Sequence, residues 1–341
     1  MLKLEETIND LVKSSESVLD YYETGRCLQV GVLTNPRSGA NKKGLGEILS
    51  VLDKWPDVLH REASTPEEMT EVLHSFARNG VELVVINGGD GTIHAVLTAI
   101  GLDEIFTRPP LFSLLCAGTT SMLPLDVGIA GSPAVALSRI LKWAESPDES
   151  LTILSRTVLK VSRAAQQPLL GMFFGAGAIC QGIKTFHSGV NPMGWRGELM
   201  PGLTLLRMLL AIFFNDHAKV PPVLTKPSFD GCTQEEKLNL VVLITTLDRL
   251  FLGMRPYWGT EDGPLRYTAI EAKPKCLLRA LPSLFKGRKS RYVKSSNGYS
   301  SLNAHEVQLE MAGDFTLDGE LYAVGEGGVT ISSAGPFMFL S

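Results

Sequence analysis

The hexapeptide Asn87-Gly88-Gly89-Asp90-Gly91-Thr92 stands between VELVVI, a near-continuous apolar run, and IHAVLTAI, a segment of helical character. A buried strand that turns at once into a helix is a unit of a parallel α/β sheet. Glycine at such a junction gives up side-chain packing and backbone order, so something there needs bare backbone. The first N–H groups of a helix have no intrahelical partners, and the helix dipole favours negative charge, which makes the junction an anion site.

Two more junctions share this character. Asn35-Pro36-Arg37-Ser38-Gly39 follows LQVGVLT, and Gly118-Thr119-Thr120-Ser121 follows LFSLLCA. Ligands of open parallel sheets bind beyond the carboxyl ends of the strands. Three polar loops gathered there point to a polyphosphate. Read alone, NGGDGT also suits a tight turn with a helix N-cap. A dinucleotide fingerprint fails at His94, and a Walker A loop fails because Leu45 follows Gly44. Asp90 among phosphate-binding amides is costly unless it meets Mg²⁺ or takes a proton from a substrate hydroxyl. Its plain alternative is N-cap of the next helix.

The 341 residues suggest two domains. Residues 1–25 are expected to hold an amphipathic helix over 3–22, from the spacing of Leu4, Ile8, Leu11, Val12 and Leu19. Residues 26–150 alternate strands with helices and read as a parallel-sheet, three-layer nucleotide-binding domain. Helices are expected from Gly44, from Pro66, from Thr92 and over 133–145. Residues 151–327 read as a β-rich, sandwich-like domain with an apolar helical insert near 200–214, and the tail, about 328–341, is a candidate to return to the first domain. PLLGMFFGAGAI is expected to be strand throughout.

A net charge of −4 argues against a nucleic-acid-binding polycation. Five widely spaced cysteines without a CxxC pair argue for a reducing compartment and against a zinc site. Glu5, Glu6 and Asp10 stand where a secretory leader needs basic residues. The longest apolar run, 203–214, is shorter than the ~20 residues that span a bilayer. A cytoplasmic protein is expected.

NPRSG at 35–39, GGDGT at 88–92, AGTTS at 117–121 and LDGEL at 317–321 together resemble the diacylglycerol kinase catalytic-domain family, which includes bacterial lipid kinases and sphingosine kinases. The resemblance implies an ATP-binding α/β domain, a β-rich second domain, an active site in the cleft between them, and Mg²⁺-dependent transfer of the ATP γ-phosphoryl group to a lipid hydroxyl. It implies nucleotide contacts from Asn35, Pro36, Arg37, Ser38, Gly39, Gly88, Gly89, Asp90, Gly91, Thr92, Thr119 and Asp318, and more loosely from Ser64. It makes Glu320 or Asp90 the proton acceptor or metal-site carboxylate, and relates Asp262 to a structural metal. His94, Ala95 and Ser121 depart from the family pattern. The Asp-Gly of LDGEL is also a hairpin signal by itself.

Lipid substrate, contact at the membrane periphery and a homodimer are the partners this reading allows. Segment 203–214 is a candidate acyl-chain groove or core helix. Lys286, Arg288, Lys289, Arg291 and Lys294 form either an exposed loop or a site for anionic headgroups. The rivals are a soluble-substrate kinase of NAD kinase type and a non-catalytic nucleotide- or lipid-binding regulator.

Overall fold

The computed structural model describes residues 26–39, 41–43, 45–103, 105–116, 127–129, 131–187, 221–250 and 253–341. The expected N-terminal helix, the loop with Thr119 and Ser121, and the apolar insert near 200–214 lie outside the described residues. The chain divides into two compact units. One comprises residues up to Thr157 with Gly335–Ser341, the other Val158–Ala334.

The first unit is built from β1 (Val30–Thr34), α1 (Gly46–Leu52), β2 (Leu59–Glu62), α2 (Pro66–Arg78), β3 (Leu83–Gly88), α3 (Asp90–Asp103), β4 (Leu111–Cys116) and α4 (Pro133–Glu145). The strands lie in the order β2-β1-β3-β4, and every neighbouring pair is parallel. The last residues of the chain join this sheet, with Phe339 beside Phe112 in parallel register.

Val30, Val32, Leu83, Val85, Leu111 and Leu115 share one face, buried against Ile48 and Leu52 of α1 and Leu137, Ile140 and Leu141 of α4. Each such side chain contributes about 1.5–3 kcal/mol by leaving water. Helix α2 packs on α3. Its inward residues Met69, Leu73 and Phe76 follow helical spacing. Helix α3 buries residues on most of its circumference, as an interior helix must.

The second unit contains β5 (Ile153–Arg163, which starts in the first unit), β6 (Leu169–Gly171), β7 (Phe173–Gly177), α5 (Ala178–His187), β8 (Val223–Phe229), β9 (Cys232–Thr233), β10 (Lys237–Thr245), β11 (Leu265–Glu271), α6 (Leu277–Lys286), β12 (Tyr299–Ala304), β13 (Glu306–Met311), β14 (Asp314–Leu317), β15 (Glu320–Ala323) and the first part of β16 (Val329–Leu340). Its pairings are antiparallel: β10 lies between β7 and β11, β14 between β7 and β15, and β13 between β8 and β16. The core centres on Phe174, Val242, Ile244, Tyr267, Phe315 and Ile331.

PLLGMFFGAGAI is not one strand. It breaks at Met172, and Gly177, at φ +72°, ends β7 ahead of α5. Lys286 is the last residue of a helix rather than part of a loop. Among the described residues, no helix is long and apolar enough to cross a membrane.

Candidate active site

Strand order reverses between β1 and β3: from β1 the sheet continues to β2 on one side, and from β3 to β4 on the other. Such a switch point leaves a crevice at the carboxyl ends of the two strands. The loops 35–39 and 87–92 occupy it.

Asn35 ties the two loops together. Its amide nitrogen Nδ2 donates to Thr92 Oγ1 at 2.9 Å, and its Oδ1 accepts from the Arg37 N–H at 2.9 Å. Its backbone N–H donates to Asn87 O at 2.9 Å, and its carbonyl accepts from Ser38 N at 3.2 Å and from Asn41 Nδ2 at 2.8 Å. Asn41 Nδ2 also reaches Asn87 O at 3.2 Å. Asn41 is buried and was not anticipated from the sequence, where nothing sets it apart from any loop asparagine. Beneath this layer, Asn87 Nδ2 donates to Thr34 Oγ1 at 3.4 Å, and His60 Nε2 lies 3.0 Å from the same hydroxyl. Burial lowers the His60 pKa, with Glu62 opposing and Arg61 assisting.

The three glycines of the loop differ. A Cβ at Gly88 would stand 2.5 Å from Thr92 Cβ, so this glycine lets the first turn of α3 fold back on the end of β3. Gly89 directs its N–H to Ser38 Oγ at 3.1 Å. Gly91 lies in the first helical turn, where a backbone N–H has no acceptor within the helix. Asp90 opens α3, so Gly89 rather than Asp90 takes the cap position. There the helix dipole favours the Asp90 carboxylate, which is half-buried.

Pro36 and Gly39 are half-buried and Arg37 is exposed. Ser64 N–H donates to Glu68 Oε2 at 2.6 Å, beside a capping box in which Thr65 Oγ1 accepts from Glu68 N. The backbone N–H groups of Ser64 and then Thr65 hold the Glu68 carboxyl below its usual range, and Arg37 adds to the effect. The turn carrying Ser64 therefore sits near the 35–39 loop. The T-x-x-E spacing of 65–68 is a legible signal for this cap that the sequence reading passed over.

In the second unit, Asp318 and Gly319 form a two-residue turn between β14 and β15 with φ of +50° and +93°, as an Asp-Gly hairpin requires. Asp318 is only 4% exposed. Its Oδ1 accepts from Phe173 N at 2.8 Å and from Met172 N at 3.1 Å, and its Oδ2 lies 3.0 Å from Met172 N. Its own N–H donates to Phe173 O at 2.9 Å. The carboxylate thus clasps the break between β6 and β7. A Cβ at Gly171 would lie 2.5 Å from Asp318 Oδ2, so a glycine leaves the clasp its room.

Glu320, next on the hairpin, is exposed. The hairpin is further fixed by stacked rings, Phe174 on Phe315 at 5.0 Å and Phe315 on Tyr322 at 5.6 Å, with the Arg163 guanidinium 5.4 Å from the Tyr322 ring. Burial, then the Glu320 and Asp318 carboxylates, push the Tyr322 hydroxyl up to about 12.

Asp262 is 99% exposed, with His305 Nε2 3.9 Å away. Among the described residues, no three His, Cys, Asp or Glu side chains gather to hold a metal ion, so Asp262 stands apart from any such cluster.

The residues of the first unit suit a nucleotide phosphate. The Ser38 hydroxyl oxygen on the Gly89 N–H demonstrates that this amide points into the loop and takes an oxygen acceptor. Mg²⁺ is commonly held by one or two carboxylates together with phosphate oxygens and water, and Asp90 is the carboxylate at the start of α3.

Residues 29–151 match the model of the diacylglycerol kinase catalytic domain. A diacylglycerol kinase from Bacillus anthracis shares the fold with a TM-score of 0.60 at 16% identity, over 92% of this chain and 96% of the other. A candidate diacylglycerol kinase from the same organism gives 0.64 at 18% identity, over 92% and 97%. No curated protein matches the chain in sequence.

Proposed function

We propose that the protein is a lipid kinase that transfers the γ-phosphoryl group of ATP, with Mg²⁺, to a lipid hydroxyl. The observation that carries this reading is the Gly89 amide aimed into the β1–β3 crevice of a segment that matches the diacylglycerol kinase catalytic domain. Phosphoryl transfer asks a protein mainly for positioning and charge neutralisation. ATP supplies the phosphoryl group, and Mg²⁺ offsets its charge.

In this reading the Gly91 amide and the dipole of α3 hold phosphate oxygens, and a phosphate oxygen takes the place of the Ser38 hydroxyl on the Gly89 amide. Asn35 keeps Thr92 and the 35–39 loop in place, with Pro36, Arg37, Ser38 and Gly39 forming the wall. Gly88 serves the packing of Thr92. Ser64 borders the same loop, and Thr119 is assigned a further phosphate contact from its place in the AGTTS motif. Asp90 is the metal-site carboxylate. Glu320, exposed on an anchored hairpin, is the candidate to take the hydroxyl proton, and Asp318 acts through it by fixing the turn.

The test is mass spectrometry of products after incubation with ATP and Mg²⁺, offering diacylglycerol, a sphingoid base and NAD side by side. A phosphorylated lipid that disappears with Asp90→Asn is expected. Phosphorylated NAD alone, or ATP binding with no phosphorylated acceptor, overturns the proposal.

A further inference from the structure

Helix α6 is amphipathic in an unusual way. Ala280 and Leu284 are buried, packing with Trp258, Val293 and Tyr299, and Leu277 rests against that cluster. The outward side is not simply polar. Leu278 is 59% exposed and Phe285 42% exposed, two of the large apolar side chains the protein presents to water. Seven residues apart, they fall on one stripe of the helix, with exposed Pro282 beside it. Arg279 and Lys286, also seven apart and exposed, form the next stripe.

The charge around this helix is one-sided. Between Glu271 and Glu306 the sequence carries eight lysines and arginines and no Asp or Glu, in a chain of net charge −4. Among the described residues none of these cations makes a salt bridge. Glu261 is the carboxylate that feels Lys289. The Arg279 and Arg291 guanidinium groups lie 5.9 and 4.8 Å from the Tyr292 ring.

The helix end is firmly made. Gly287 N–H donates to Leu284 O at 3.3 Å and Arg288 N–H to Ser283 O at 3.0 Å, with Gly287 at φ +62°. This paired closure directs the chain straight from the apolar stripe into Arg288 and Lys289.

We propose that α6 and the basic segment after it dock on an anionic membrane surface, with Leu278 and Phe285 entering the acyl boundary and Lys286, Arg288 and Lys289 meeting the headgroups. A basic helix with an exposed apolar stripe lies in the plane of such an interface. A nucleic acid or an acidic protein would use the cations but gives no reason for two large apolar side chains beside them. The inference deepens the lipid-kinase reading and rests on it for its purpose.

The test is sedimentation of the whole protein with vesicles in the absence of ATP, comparing phosphatidylcholine alone with phosphatidylcholine mixed with phosphatidylserine. Binding to the anionic vesicles only, weakened by added salt, is expected. At roughly five-fold per basic residue, Lys286→Gln/Arg288→Gln/Lys289→Gln weakens binding on the order of 100-fold. Leu278→Ser/Phe285→Ser weakens it by about ten-fold or more. All five positions are exposed, and unchanged melting of the variants confirms that they fold. Equal binding to both vesicle types, wild-type binding by either variant, or binding to transfer RNA but not to vesicles overturns the proposal. Loss of vesicle binding counts against this surface alone, whereas vesicle binding without phosphoryl transfer counts against the kinase reading alone.

Discussion

Replacing Asp318 with alanine should destabilise the second unit well beyond an ordinary turn substitution. The carboxylate serves two buried N–H groups, those of Met172 and Phe173. Leaving each of them unsatisfied costs about 1–3 kcal/mol. Alanine must also hold φ near +50°, a region that costs a Cβ-bearing residue roughly 1–2 kcal/mol without the local hydrogen bond that favours aspartate. The sum is about 3–8 kcal/mol. An asparagine in the same place would keep an oxygen acceptor and tolerate the same backbone. It loses the charge assistance and the second oxygen facing the Met172 N–H but keeps the acceptor shared by Met172 and Phe173, so about 1–2 kcal/mol is expected for Asp318→Asn. Urea denaturation gives the two free energies, and amide hydrogen exchange localises the effect, with the Met172 and Phe173 protons losing protection in the alanine variant. Glu320→Gln, two residues away and exposed, should leave stability unchanged. An alanine variant within about 1 kcal/mol of wild type, or an asparagine variant as costly as alanine, refutes the clasp.

Gly88→Ala should lower the melting temperature, because the new Cβ meets the stiff, branched Thr92 side chain at 2.5 Å; such overpacking costs about 1–3 kcal/mol, and an unchanged melt contradicts the role assigned to Gly88. His60 should make stability fall on the acid side. Its folded pKa is depressed by burial, so the unfolded chain takes the proton first, and stability is lost as pH falls from about 6.5 through the folded value. His60→Gln should make that decline shallower, measured as the melting temperature against pH, and an identical profile would contradict it.

The parallel half of the fold was open to reading because its signals are local. An apolar run, a polar loop and a capped helix follow one another, and the expected helix over 133–145 coincides with Pro133–Glu145. The antiparallel half was harder. Strand β8 contains Pro227, which argues against a strand from sequence, yet it pairs with β13 at Leu309. Helix α6 carries Pro282 in its interior, which hides it in the same way. The first two residues of helix α5, Ala178 and Ile179, fall in the run expected to be strand, because short apolar stretches do not separate strand from helix.

At the site, the loop residues were legible as a pattern but their connections were not. The link from Asn35 to Thr92 spans 57 positions, and that from Asp318 to Met172 spans 146. No local rule predicts such partners. The sequence therefore could not separate Gly88, whose bareness serves Thr92, from its neighbours.

The central claim is that bare amides at the start of α3 grip phosphate, and Gly91→Ala tests it most directly. Gly91 sits within the helix, where alanine is the better former by up to about 1 kcal/mol. Calorimetric titration with Mg·ATP, alongside a melting curve, should give a variant as stable as wild type or more so, with ATP affinity reduced by about ten-fold or more, a loss near 1.4 kcal/mol. Unaltered ATP affinity, or no ATP binding by the wild-type protein, would contradict the account.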